Sequence, residues 1–209
     1  SAVDNNGTLT LCYTGNVKFD DGGRTAWQCL ATENADGTFR KIGPVLPLPE
    51  GYTGHVRDPK VWRHKDRGYM VLGAQDRQKH GKVLLFSSPD LHQWRSEGEI
   101  AGDGINGLSD AGYMWECPDL FPLGDQHILI CCPQGIAREE ERFLNTYPAV
   151  WMSGDVDYER AAFKHDELHE LDAGFEFYAP QTTHTSDGRR LLVGWMGVPD
   201  GEEMLQPTL

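Results

Sequence analysis

The sequence predicts an all-β chain built from the blades of a β-propeller, and three observations carry that prediction. Glycine and proline account for 24 and 12 of the 209 residues, and seven of the glycines follow Asp or Asn. Such pairs mark tight turns, because both residues of a type I′ hairpin turn need positive φ. Between them lie short runs rich in Val, Ile, Leu, Tyr and Trp, of strand length and without sustained helical periodicity. The third observation is a motif that recurs about every sixty residues, as a propeller blade of four short strands requires.

In chain order, Ser1-Ala2-Val3 reads as the tail of an inner strand, followed by the Asn6-Gly7 turn and a strand at 9–13. Asp21-Gly22 and Asp36-Gly37 supply the next two hairpins. Arg57-Asp58-Pro59-Lys60-Val61-Trp62 then leads through a polar turn into a strand at 69–72, with a further strand at 83–86. After the Asp103-Gly104 and Asn106-Gly107 turns, Trp115-Glu116-Cys117-Pro118-Asp119-Leu120-Phe121 leads likewise into a strand at 127–131. Residues 137–144 carry the charge run Arg138-Glu139-Glu140-Glu141-Arg142 and read as a solvated loop rather than a helical turn, and a strand follows at 149–152. Phe177-Tyr178-Ala179-Pro180-Gln181-Thr182 leads through Asp187-Gly188 into a strand at 191–195, and Asp200-Gly201 marks one more turn.

The three prolines are 59 and 62 residues apart. Each is expected at the start of the innermost strand of a blade, where its missing N–H costs little. The blades fall at residues 1–50 (partial), 55–100, 113–172 and 176–209 (partial), about three and a half in all. Propellers close with roughly four to eight, so residues 1–209 read as one incomplete propeller domain, a segment of a longer protein with exposed blade edges open to self-association.

Composition bounds the partners. Hydrophobic residues at 39% and charged residues at 24% are globular values. No apolar run approaches the ~18 residues of a membrane span, which argues for a soluble chain. Nineteen Lys and Arg against 32 Asp and Glu leave a net charge of −13, which argues against nucleic acid and against an anionic membrane and leaves room for a small-molecule ligand. The five cysteines have no C-x-x-C spacing and fit a reducing compartment.

Two carboxylates stand at nearly equivalent repeat positions, Asp58 just before Pro59 and Glu116 two residues before Pro118. The apolar neighbours of Glu116 are expected to raise its pKa, and Arg57 to favour the ionised form of Asp58 if the two side chains meet, although neighbours on a regular strand point to opposite faces. A pair of carboxylates pushed apart in pKa is what glycosidic bond cleavage requires. Trp62, Trp94 and Trp151 read as packing between sheets rather than sugar platforms. His165 and His169 lack a zincin order, and Cys131-Cys132 reads as core, so no metal is expected.

The ordered set Ser1-Ala2-Val3, Arg57-Asp58-Pro59, Trp115-Glu116-Cys117-Pro118-Asp119, Phe175-Glu176-Phe177-Tyr178-Ala179-Pro180-Gln181 and Gly194-Trp195-Met196-Gly197 resembles glycoside hydrolase family 32, the invertases and their relatives, over the whole chain. The resemblance implies a five-bladed propeller with a following β-sandwich that these residues do not include. It implies a retaining β-fructofuranosidase that cleaves sucrose or its 6-phosphate, of the bacterial intracellular type, hence cytoplasmic and without a cofactor. Asp58 matches the transition-state stabiliser, Glu116 the general acid/base, and Arg57, Cys117, Tyr178 and Trp195 positions lining the sugar site. The family's nucleophile belongs to a Trp-Met-Asn-Asp-Pro-Asn-Gly motif that this sequence lacks, so the segment alone is expected to be inactive. A catalytically silent propeller that binds carbohydrate or protein is the alternative, and a fructosyltransferase would share the same core chemistry.

Overall fold

The computed structural model describes residues 1–174 and 177–197. Every regular element among them is a β-strand, in four antiparallel sheets that follow one another along the chain. The first holds β1 (Ala2–Asn5), β2 (Thr8–Lys18), β3 (Arg24–Glu33) and β4 (Phe39–Leu46), in that order. The second holds β5 (Tyr52–His64), β6 (Arg67–Asp76), β7 (Gly81–Ser88) and β8 (Arg95–Gly102). The third runs β9 (Met114–Leu123), β10 (Gln126–Gln134), β11 (Val150–Asp157) and β12 (Ala162–His165), with the short β13 (His169–Glu170) also on β11. Strands β14 (Phe177–His184) and β15 (Arg190–Met196) form a two-stranded fourth. None of these sheets closes on itself among the described residues. The charged run at 137–144 is an irregular loop, and no described helix is long and apolar enough to cross a membrane.

The core lies between the sheets. Val56, Met70, Leu72, Leu84 and Phe86 of the second sheet pack against Cys12, Leu30 and Leu46 of the first. Val71, Val83 and Leu85, on its other face, pack against Trp115, Leu129, Val150 and Met152 of the third. Strands β6 and β7 are sandwiched in this way, and every residue from Gly68 to Gln75 and from Gly81 to Ser88 is buried. That burial explains their continuous apolar runs, where a sheet with one wet face would alternate. Trp62 stacks on Tyr69 with ring centroids 5.8 Å apart, and Trp151 stacks on His169 at 4.6 Å. Trp94 packs against the first of these cores, so the three tryptophans serve packing.

The turns differ from the sequence expectation in a systematic way. Asn6-Gly7, between β1 and β2, has φ of 55° and 84°, as a type I′ hairpin requires, and Asn106-Gly107, with 49° and 84°, makes the same turn within an inter-sheet connection. At 21–22, 36–37 and 187–188 only the glycine has positive φ. There Gly22, Gly37 and Gly188 donate back to the carbonyls of Phe19, Asn34 and Thr185, and the aspartate oxygen accepts the amide two residues on. This is the three-residue loop in which a type I turn is followed by a left-handed residue. Asp favours it by bonding its own downstream backbone. Asp103-Gly104 lies in the connection after β8 rather than in a hairpin, and Asp200-Gly201 lies outside the described residues.

The prolines also sit differently. Pro59, Pro118 and Pro180 are inside β5, β9 and β14, not at their starts. Each follows a residue with left-handed backbone, Asp58 (φ 66°), Cys117 (φ 51°) and Ala179 (φ 50°). The register of each strand with its neighbour shifts at the same place. A β-bulge takes the proline out of the ladder, so its lost donor is not missed.

Candidate active site

The three bulges create the site. On a regular strand Arg57 and Asp58 would point to opposite faces, but the left-handed turn of Asp58 swings both to one side, and Arg57 Nε lies 3.9 Å from Asp58 Oδ2. The residues two before each proline, Arg57, Glu116 and Tyr178, meet each other. Arg57 Nε donates to Glu116 Oε1 at 2.8 Å, and the Tyr178 hydroxyl donates to Glu116 Oε2. Gln134 Nε2, from the end of β10, donates to the same oxygen at 2.8 Å.

The residues immediately before the prolines form a second tier. Their bulged amides leave the ladder and turn toward the preceding sheet. Asp58 N donates to Thr14 Oγ1 at 3.1 Å, Cys117 N to Asp58 Oδ2 at 3.0 Å, and the Ala179 amide to the Cys132 sulfur. Thr14 in turn donates to Gln28, which donates to the Val56 carbonyl at 3.3 Å. Behind them Lys60 Nζ reaches Asp119 Oδ2 at 2.8 Å, and Thr182 N donates to the same oxygen at 2.6 Å. Asp119 is fully buried. This pair anchors β5, β9 and β14 side by side, so the site residues stand on a rigid base.

The surroundings of the two carboxylates differ, but not as the sequence predicts. Burial pushes the Asp58 carboxyl above the usual aspartate value of 3.8, and the Cys117 amide and Arg57 only partly oppose it. Glu116 does not sit in an apolar niche. Trp115 turns into the core, where its indole donates to the Ala111 carbonyl at 2.6 Å, while the Glu116 carboxylate is ringed by Arg57, Gln134 and Tyr178. Alternation along the strand separates them. Burial raises the Cys117 thiol well above its ordinary value and Cys132 to about 12, so neither is a thiolate near neutrality.

Arg57, Asp58, Glu116, Cys117 and Tyr178 are thus brought together. Trp195 pairs with Tyr178 across β14 and β15, which puts it on the same face of that sheet, and the residue is 72% exposed. His55 Nδ1 accepts from Arg57 Nη1 at 3.0 Å and from Arg24 Nη1 at 3.1 Å; His55 and Arg24, with Thr14, Gln28 and Gln134, were not legible as site residues, because they lie outside the repeated motif. Among the described residues no group of His, Cys, Asp and Glu could hold a metal ion. The arrangement offers one carboxylate beside a guanidinium, its side chain 32% exposed, and a second held by three donors, its side chain 15% exposed.

Residues 1–208 match the glycosyl hydrolases family 32 N-terminal domain. The chain belongs to this family. A sucrose-6-phosphate hydrolase of Salmonella typhimurium is 88% identical over 209 residues, all of this chain and 45% of that protein. The structure of sucrose-6-phosphate hydrolase from Lactobacillus gasseri superposes with a TM-score of 0.87 at 34% identity, over 96% of this chain and 41% of that one. A sucrose complex of a variant Bombyx mori family 32 β-fructofuranosidase superposes with a TM-score of 0.84 at 40% identity, over 97% and 44%. This family 32 chain therefore spans less than half the length of these relatives.

Proposed function

We propose that the whole protein carrying this chain is a retaining β-fructofuranosidase that cleaves the fructosyl bond of sucrose or sucrose 6-phosphate. The observation that carries the reading is that Arg57 reaches Glu116 and Asp58 at once, from bulged first strands of adjacent sheets. Relatives named as sucrose-6-phosphate hydrolases and a sucrose complex support the substrate class.

In this reading the four sheets are consecutive blades of a five-bladed propeller, whose first strands line the axis. Residues 1–209 form most of that catalytic domain, and a β-sandwich lies in the remainder. Glu116 protonates the departing glucosyl oxygen and then takes the proton of the water that releases fructose. Asp58 holds the fructosyl hydroxyls and stabilises the positive charge that develops in an oxocarbenium-like transition state. Arg57 orients both carboxylates, while Tyr178, Cys117 and Trp195 border the sugar. The nucleophile, a further carboxylate about 5–5.5 Å from the acid/base, comes from outside these residues. No cofactor is needed, and five free cysteines fit a cytoplasmic setting.

Glu116→Gln in the whole protein tests the assignment, since it keeps shape and removes the titratable proton. Sucrose turnover is expected to fall about a hundredfold or more. Fructosylation by an activated fructoside, whose leaving group needs no proton, should be spared. Unchanged sucrose turnover would remove Glu116 from the acid/base role.

A further inference from the structure

We infer that Arg24, with His55 and Arg57, forms a phosphate-binding site that takes the 6-phosphate of the sugar substrate and sets the preference for sucrose 6-phosphate over sucrose. The inference rests on the hydrolase reading above and names which residues read the phosphate.

Within the cluster, Arg24 lacks a partner of negative charge among the described residues. Arg24, at the start of β3, and Arg57 both donate from Nη1 to one atom, His55 Nδ1, at 3.1 and 3.0 Å. A nitrogen that accepts two guanidinium bonds carries no proton, so the imidazole is neutral and its Nε2 is the N–H donor. Two guanidiniums are therefore gathered around a neutral ring. Arg57 is compensated by Glu116. Arg24 makes no ion pair among the described residues, and its Nε is buried without a hydrogen-bond partner.

That arrangement is costly without an anion. Like charges held together repel, and a buried guanidinium N–H left unpaired forfeits its hydration. It is also conspicuous in a chain with a net charge of −13, where a phosphorylated ligand needs a local positive well to approach. The site is built rather than incidental. A Cβ on Gly54 would lie 2.3 Å from Arg24 Cγ and 2.5 Å from the Arg24 carbonyl oxygen, so glycine lets β5 begin directly against the arginine stem and fixes where it reaches.

Position identifies the anion's place on the substrate. Glu116 must lie at the glycosidic oxygen to protonate it, and the order Glu116, Arg57, His55, Arg24 leads away from that oxygen through contacts of 2.8, 3.0 and 3.1 Å. A group on the leaving glucosyl unit, a few bonds from the glycosidic oxygen, falls at the far end. Arg57 stands between the phosphate and the two carboxylates and shields their like charges. A planar fork that bonds a phosphate bidentately is the chemistry Arg24 supplies, with His55 Nε2 as a neutral second donor.

The test compares hydrolysis of sucrose 6-phosphate and of sucrose by the whole protein and its Arg24→Gln and Arg24→Lys variants. The ratio of kcat/KM for the phosphorylated over the plain sugar is expected to fall about tenfold or more in Arg24→Gln, chiefly through KM, since charge-assisted bonds are worth that much. Arg24→Lys should lie between, keeping the charge and losing the fork. Inorganic phosphate should compete with sucrose 6-phosphate in the wild type and lose potency in Arg24→Gln, whereas preferential binding of free phosphate over the sugar phosphate would reassign the site to the free ion. An unchanged ratio in Arg24→Gln, even with both activities reduced, overturns the inference. A wild-type protein that splits neither sugar fails the hydrolase reading instead. Calorimetric binding of inorganic phosphate, lost in Arg24→Gln, would then decide the anion site by itself.

Discussion

Asp58 illustrates how a candidate site residue is held at a cost to stability. Its backbone is left-handed, a conformation sparsely used by non-glycine residues, and its carboxyl is pushed above 3.8 by burial. A folded-state pKa above the unfolded one means that the native state binds the proton more tightly. The favourable contribution is therefore complete below the unfolded value and is lost as pH rises through the raised native value. At neutral pH the ionised carboxylate is a net burden on the fold. Asp58→Asn keeps an acceptor for the Cys117 amide and removes that charge. The variant should unfold at the same temperature as the wild type or higher at pH 7, with the difference shrinking toward pH 3–4, while sucrose cleavage by the whole protein collapses. Melting curves across that pH range check the sign, and a variant markedly less stable at pH 7 would show that the charge is fully compensated.

At the scale of the strand, the bulge before each proline converts one repeat into one site. It frees an amide toward the preceding sheet, turns two successive side chains to one side, and lets sheets approach closely. Gly73 marks the tightest approach: a Cβ there would be 2.1 Å from the Trp115 carbonyl oxygen and 3.3 Å from Glu116 Cα. Gly73→Ala must push β9 away from β6 and carry Glu116 with it. We expect a loss of about 1–3 kcal/mol in unfolding free energy, as overpacking brings, together with reduced activity. Denaturant titration and turnover measured on the same variant check both. The repeat itself was legible in the sequence because Pro59, Pro118 and Pro180 recur with tryptophan, tyrosine or phenylalanine near them, and strand runs were legible because β6 and β7 are buried on both faces. The bulges were not, since a left-handed residue before proline has no glycine to announce it. For that reason the prolines were expected at strand starts, and Glu116 was expected among apolar neighbours that in fact face the core. Gln134 and Arg24 were invisible for a different cause: they come from β10 and β3, and it is the pairing of β10 with β9 that brings Gln134 to Glu116, and the side-by-side arrangement of the first two sheets that brings Arg24 to His55.

At the scale of the molecule, the two outer flanks differ from the middle. Strands β6 and β7 are covered on both faces, whereas β15 pairs only with β14 among the described residues and leaves Val193, Trp195 and Met196 at 68%, 72% and 86% exposure. Val17, Trp27 and Phe39 of the first sheet, and Phe19 in the turn after β2, are exposed as well. Unpaired strand edges and contiguous apolar patches promote association. In the proposed propeller both flanks meet further blades, and the proposed nucleophile comes from outside residues 1–209. Residues 1–209 produced alone should therefore self-associate, with an elution volume that shifts with concentration, and should release no glucose from sucrose. Asp58 and Glu116 can stabilise charge and transfer a proton, but a retaining mechanism also needs the attacking carboxylate, and a site open to water on one side loses much of its electrostatic leverage. Supplying the remainder of the protein in trans should reduce self-association and restore turnover if the flanks are complementary. A monomeric segment that splits sucrose at the rate of a complete family 32 enzyme, with turnover insensitive to Asp58→Asn and Glu116→Gln, would place the reaction elsewhere in the chain.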